Sequence, residues 1–346
     1  MRPDASLLAR PRLLGIIGVT ESFCDTYLMT SRYGITIPFD GVSLTEHREW
    51  FRRLVDLGYT DVWSAEVDGT DGFTPLTLAA AWEPTLNLGI AVTPVYTRGP
   101  GLLAMSIASM AEAAPGRFTM GLGASSMPVV QRWNGIHYDK PFARTRDTLN
   151  FVNRALAGEK IDEVFETFEV HGFKLSRPVA EKPKILLGAL RPGMLRLAGR
   201  EGDGAILNWL SADNVPQCVA EVGEGKTISA RLFVIPTEDA DTARFIARRM
   251  ISSYLTVQTY AEFHKWLGNG DKLQPMWDAW AEGDRKKANE VIPDSVCDEL
   301  IIHGSYDQCR EHIQRYIDSG IQIPNLAVIP FGVELGDAIA GLAPRN

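Results

Sequence analysis

Tyr33-Gly34-Ile35-Thr36-Ile37-Pro38, then Ser43 to Gly58, then Thr60-Asp61-Val62-Trp63-Ser64 is the stretch that decides the fold. Its two ends are short runs rich in residues that suit a pleated, half-buried surface. Between them Leu44, Trp50, Phe51, Leu54, Val55 and Leu57 recur at helical spacing. Ser43 with Glu46 three residues on reads as a capping box, and Gly58 as the stop. Strand, helix and strand in close succession predict a parallel unit, because parallel strands need a crossover connection.

The same unit repeats outward from this stretch. Further strands are predicted at Leu86 to Val95, Phe118 to Gly123, Lys184 to Gly188, Gly204 to Asn208, Ile228 to Ile235 and Asn325 to Ile329. Helices are predicted near Pro75, from about Gly101 to Ala113, Phe142 to Ala157, Pro192 past Gly199, Asp239 to Ser253, Ser305 to Ser319 and Glu334 to Leu342. Eight strand–helix units with right-handed crossovers close into a (β/α)8 TIM barrel. A doubly wound sheet would show a glycine-rich nucleotide fingerprint after strand one, and Pro38-Phe39-Asp40-Gly41 is not one.

Three segments fall outside the repeat. Residues 165 to 175, centred on His171-Gly172, predict a small hairpin outside the barrel. Residues 257 to 291 predict a helical insertion before strand eight. Residues 1 to 30 read as an extension outside the core, with Met29 a second candidate start. Arg10, Arg12 and the apolar run Leu13 to Val19 look faintly like a signal peptide, but Glu21 and Asp25 follow with no cleavage pattern. Residues 31 to 346 therefore read as one domain.

Composition narrows the function. The chain has 346 residues, 43 acidic and 35 basic side chains, and a formal charge of −8. Nucleic-acid affinity comes mostly from clustered cations, so an acidic balance argues against that partner. No apolar run approaches the roughly 18 residues of a membrane span. Cys24, Cys218, Cys297 and Cys309 are widely spread, which predicts neither a disulfide framework nor a zinc site and fits a cytoplasmic location. None of the six histidines is at metal-ligand spacing, and only His137 falls near the mouth. No H-E-x-x-H, G-x-S-x-G or P-loop is present. A chain with few acid–base groups relies on a cofactor for the hard chemistry.

Barrel active sites lie at the C-terminal ends of the strands. That rule selects Pro38 and Asp40, Ser64 to Asp68, Thr93 to Arg98, Gly123 to Met127, Gly188 to Met194, Asn208 with Trp209, and Ile329 to Phe331. Gly121 to Ser126 either leaves backbone N–H groups open to an anion or is a tight turn that needs glycine. Gly188 to Gly193, with Arg191 and Pro192 opening a helix, reads as a phosphate site or as a plain capped turn. Tyr96, Trp133 and Trp209 are either core or a stacking surface for a ring system.

Several stretches together resemble the bacterial luciferase-like superfamily, within it the branch that uses the deazaflavin coenzyme F-420. They are Leu57 to Glu66, Leu88 to Pro100, Pro115 to Ser125, Arg132 to Gly135, Leu195 to Gly199 with Asp203-Gly204, and Gly304 to Asp307. The resemblance implies a bulge with a non-prolyl cis peptide in strand three, near Ala91-Val92. It implies that Ala91, Val92 and Thr93 back the ring. Gly123, Ala124, Ser125 and Ser126 would then contact the tail and phosphate, together with Gly188, Ala189, Leu190, Arg191 and Pro192. It also implies a homodimer.

Departures from the branch limit the substrate. Its sugar dehydrogenases have an Asp-His pair after strand two and a Glu after strand four, where this chain holds Glu66-Val67 and Ser126. Sugar oxidation is therefore excluded. The expected activity is hydride transfer from reduced F-420 to a small organic acceptor. Glu66, Tyr96 and Trp133 are the candidate catalytic residues, and Asn208 and Trp209 the substrate pocket. Two alternatives stand: an FMN-dependent monooxygenase fed by a partner reductase, and a non-catalytic protein that binds F-420 or flavin.

Overall fold

A computed structural model describes residues 32–345; the expectations for the N-terminal extension and the start site lie outside the described residues. Eight parallel strands form the barrel: β1 (Gly34–Thr36), β2 (Asp61–Ser64), β3 (Asn87–Ile90, resumed at Thr93–Pro94), β4 (Phe118–Gly123), β5 (Lys184–Gly188), β6 (Gly204–Asn208), β7 (Thr227–Ile235) and β8 (Ile323–Val328). Each bonds the next, and β8 returns to β1, so the sheet is closed.

The surrounding helices are α1 (His47–Asp56), α2 (Thr74–Trp82), α3 (Pro100–Ala113), α4 (Pro141–Leu156), α5 (Pro192–Glu201), α6 (Val215–Val222) and α7 (Ala240–Leu255). The predicted insertion holds α8 (Gln258–Trp266), α9 (Gly270–Ala281), α10 (Arg285–Glu290) and α11 (Asp294–Leu300). It ends in a short strand, Ile301–His303, laid against the far end of β7. Then come α12 (Tyr306–Asp318) and α13 (Leu335–Gly341). No helix among the described residues is long and apolar enough to cross a membrane.

The lumen is packed by strand alternation. Trp63, Leu186, Ile206 and Ile323 form one buried cluster inside it, with Ala91 and Val92 packed against them. The Trp63 indole is admitted by glycines on both neighbouring strands. A Cβ at Gly89 would stand 2.3 Å from its ring, and one at Gly34 would stand 3.0 Å from it. On the next strand, a Cβ at Gly121 would lie 2.0 Å from the Ile90 carbonyl oxygen. Side-chain size on one strand therefore dictates glycine on the next.

Two local expectations are corrected. The hairpin exists, as strands Ile161–Val164 and Glu169–Phe173, but it turns at 165–168 rather than at His171-Gly172. Phe165 and Phe168 pack together there and on Phe151 of α4, so burial of aromatic rings overrides the His-Gly turn signal. The Ser43–Glu46 box is one-sided: the Ser43 N–H and hydroxyl both donate to the Glu46 carboxylate, and α1 starts only at His47. The full reciprocal box is at Ser305–Gln308, opening α12.

The glycine argument is directly testable. Gly89→Ala is expected to destabilise the protein by roughly 1–3 kcal/mol through overpacking against Trp63, read by denaturant unfolding. Gly69→Ala, where nothing lies within 4 Å, is expected to stay within about 0.5 kcal/mol of the parent. Equal effects at the two sites would contradict the packing account.

Candidate active site

The mouth is organised by an irregularity in β3. Between Gly89 and Thr93 that strand advances four residues, while its partner advances three, from Thr119 to Leu122. The extra residue makes a bulge, a device that re-aims side chains. The Ala91–Val92 peptide there is cis and non-prolyl, at the place the resemblance indicated. The bulge is tied on both sides. The Ala91 N–H donates to the Ser64 oxygen at 2.7 Å, and the Glu66 N–H donates to the Val92 oxygen at 3.3 Å.

Val92 then occupies the space above two glycines. A Cβ at Gly123 would stand 2.5 Å from Val92 Cγ2, and one at Gly188 would stand 3.1 Å from Val92 Cγ1. These glycines, read in the sequence as an anion loop or tight turns, make room for the Val92 side chain. Their strands, β4 and β5, are hydrogen-bonded neighbours.

Beside Val92, Ala124, Ser125 and Ser126 are half-buried, and Ser125 takes a left-handed backbone with φ 59°. Neither serine hydroxyl has a protein hydrogen-bond partner within the described residues. The Tyr138 hydroxyl donates to the Ser125 oxygen at 3.3 Å. Burial raises the Tyr138 pKa, and the positive charge of Arg191 partly opposes this. Tyr138, which the sequence reading did not select, therefore links the Ser125 turn to the start of α5. Arg191 is exposed at that helix N-terminus and makes no ion pair among the described residues. Leu190 and Pro192 are half-buried there, whereas Ala189 is buried and its N–H donates to Ile206.

Glu66 and Tyr96 are engaged by protein partners, whereas the side chains of Thr93, Trp133 and His137 have no hydrogen-bond partner among the described residues. Glu66 accepts from Arg98 Nη2 at 2.6 Å and Nε at 3.1 Å, and that guanidinium also lies 4.6 Å from the Phe73 ring centre. The pair neutralises the Arg98 charge and presents Glu66 as an acceptor. The buried Tyr96 phenol donates to the Asp139 backbone oxygen, and burial pushes its pKa up. Thr93 is buried, with its hydroxyl 3.5 Å from where a Cβ at Gly72 would stand. Trp133 lies at the end of a π-helical turn, Pro128–Trp133, and is 57% exposed. His137 is exposed on the following loop.

A second cluster stands across the lumen. Asn208 Nδ2 donates to the Tyr260 hydroxyl oxygen at 3.3 Å, and Asn208 Oδ1 is buried without a partner. Trp209, with φ 55°, is buried 4.3 Å from the Phe233 ring and 5.0 Å from the Tyr254 ring. Strand register sets Arg231 beside Asn208 on one side and Asn325 on the other. Burial pushes the Tyr260 phenol up to about 12. Arg231 had a usable signal: it continues the alternation Thr227, Ser229, Arg231 in a strand whose other residues are apolar. Tyr254 and Tyr260 had none, because they come from α7 and the insertion.

The geometry defines a barrel mouth with one aliphatic platform, a polar turn, and an aromatic wall carrying a cation. The model of the luciferase-like monooxygenase family matches residues 26–322, and the chain belongs to that family. It is 25% identical over 298 residues to the 5,10-methylenetetrahydromethanopterin reductase of Methanolobus tindarius, covering 82% of this chain and 90% of that one. The fold matches the coenzyme F-420-dependent tetrahydromethanopterin reductase of Methanopyrus kandleri with a TM-score of 0.73 at 18% identity, covering 90% and 97% of the two chains. It matches an F-420-dependent secondary alcohol dehydrogenase, solved with an F-420–acetone adduct, with a TM-score of 0.74 at 14% identity, covering 91% and 98%. The chain is an oxidoreductase of this family.

One titration belongs to the insertion. His264 on α8 is fully buried, and burial pushes its pKa down to about 4 from 6.5. The unfolded chain therefore takes up this proton at higher pH than the folded one. Its contribution to stability is present above about 6.5 and is lost as pH falls toward 4. The melting temperature is expected to fall over that window, and less steeply in His264→Gln. An identical slope in the variant would contradict the assignment.

Proposed function

We propose that the protein binds coenzyme F-420 in the barrel mouth and catalyses hydride transfer to a small organic acceptor. The observation that carries this reading is the Val92 platform beside Ser125, Ser126 and Arg191, whose side-chain polar groups have no hydrogen-bond partner among the described residues. Ala91 and Val92 would back the ring. Ser125, Ser126 and Arg191, at a helix N-terminus, would hold the anionic tail. When bound, the reduced deazaflavin supplies a hydride, and it lacks the nitrogen by which flavins activate oxygen. Two relatives whose names carry F-420 dependence support the choice of coenzyme.

The chain's own chemical contribution is a proton. Tyr96 is unsuited, because its hydroxyl already donates to Asp139. Tyr260 is suited: it accepts from Asn208, and its own hydrogen has no acceptor among the described residues. Its raised pKa keeps it protonated at neutral pH. The acceptor's double bond would take the hydride at carbon and the Tyr260 proton at its other end, and solvent would reprotonate the phenolate.

Titration of the purified protein with F-420 and with FMN, read by coenzyme fluorescence, tests the reading. F-420 is expected to bind at least about tenfold more tightly than FMN, and Arg191→Gln to weaken it by roughly tenfold, as expected for one lost charge-assisted hydrogen bond. Tyr260→Phe is expected to leave F-420 affinity unchanged and to slow turnover. Tight FMN binding without F-420 binding would overturn the proposal in favour of a monooxygenase.

A further inference from the structure

We propose that Arg231 anchors a carboxylate on the acceptor, so that the substrate is a small, flat, monoanionic organic acid. This rests on the hydride-transfer reading for the location of the acceptor, but not for the binding of the anion. Arg231 lies in β7 at the register of Asn208 and Asn325. By strand alternation it shares a face with Ser229, which pairs in register with the lumen residues Ile206 and Ile323. Its side chain is therefore on the lumen side, one layer above the packed floor.

This cation is unpaired. Its Nε is buried without a hydrogen-bond partner, and it makes no ion pair among the described residues. Glu66, by contrast, is held by Arg98. Arg231 has only the Phe233 ring, 5.1 Å from its guanidinium carbon. That contact uses the face of the guanidinium and leaves the N–H groups in its plane without acceptors. Burial lowers its pKa, opposed through space by Tyr254, Tyr260 and Asp40, of which Asp40 is exposed and makes no ion pair with it. Arg231 is half-buried, with its Nε shut off from water; a charge withdrawn this far without a partner is retained at a cost to stability, which points to a partner that arrives with the ligand.

The surroundings specify that partner. The guanidinium fork matches a carboxylate in two parallel hydrogen bonds. Tyr254 and Tyr260, backed by the buried rings of Trp209 and Phe233, give the remainder of the ligand an aromatic wall. One guanidinium balances one negative charge, which suits a carboxylate rather than the two charges of a phosphate monoester.

Benzoate and its neutral counterpart benzamide are the probes, titrated calorimetrically into the coenzyme-free protein. Wild type is expected to prefer benzoate by at least about tenfold. Arg231→Met is expected to lose that preference while keeping benzamide affinity, and to melt at or above the wild-type temperature. Arg231→Lys, which keeps the charge without the fork, is expected to retain part of the preference. Equal binding of the two probes by wild type, or an undiminished preference in Arg231→Met, would overturn the proposal. So would a large loss of melting temperature in both variants with the preference intact, which would make Arg231 a structural residue. The titration contains no coenzyme, so it can succeed where F-420 binding fails, and the reverse.

Discussion

The contact of Val92 with Gly123 and Gly188 is the constraint on which the mouth depends. The bulge in β3 supplies one residue more than the ladder can use, and the Val92 side chain has to go somewhere. It goes inward, where the two glycines leave it space. Below it the lumen is closed by Trp63, itself seated between Gly34 and Gly89. The barrel is thus a packed plug topped by an aliphatic platform. Each large side chain in this column is matched by an absent one on a neighbouring strand, the interlocking expected of a close-packed interior.

Charge is distributed around that platform in a way net charge does not convey. The chain carries −8 overall, yet the mouth holds Arg191 and Arg231, neither of which makes an ion pair among the described residues. Arg191 is exposed at the start of α5, on the side of the Ser125 turn. Arg231 is inside the lumen, on the side of the aromatic wall. Arg98, a third candidate for local positive field, is neutralised by Glu66. An anionic tail and an anionic acceptor can therefore be held at separate places. In a low-dielectric site, one unpaired cation outweighs many screened surface charges.

Most of the fold was legible in the sequence because its signals are local. Phe118–Gly123, Lys184–Gly188 and Gly204–Asn208 lie where composition and bounding glycines put them. The hairpin turn did not, because Phe165 and Phe168 gain more from packing on Phe151 than His171-Gly172 gains from turning. The short helix Val215–Val222 carries only two turns of pattern and escaped notice. The site was legible by position and less so by role. The rule of strand ends located Ser125 and Arg191, and the family resemblance located Val92, but the partners that decide a role come from distant segments. Tyr96 is engaged by Asp139, Glu66 by Arg98, and Asn208 by Tyr260. Spacing along one chain cannot reveal those pairings, nor that Gly123 and Gly188 serve a valine on another strand.

The central claim is that Val92, seated on these glycines, is the surface against which the coenzyme lies. A double-mutant cycle on F-420 affinity tests it most directly. Gly123→Ala sets a Cβ 2.5 Å from Val92 Cγ2 and should lift Val92 into the mouth, weakening F-420 binding by roughly tenfold or more. Adding Val92→Ala removes the clash and should restore most of the loss, a strong non-additivity expected of residues in contact. Additive losses, or Gly123→Ala binding F-420 as well as wild type, would contradict the account.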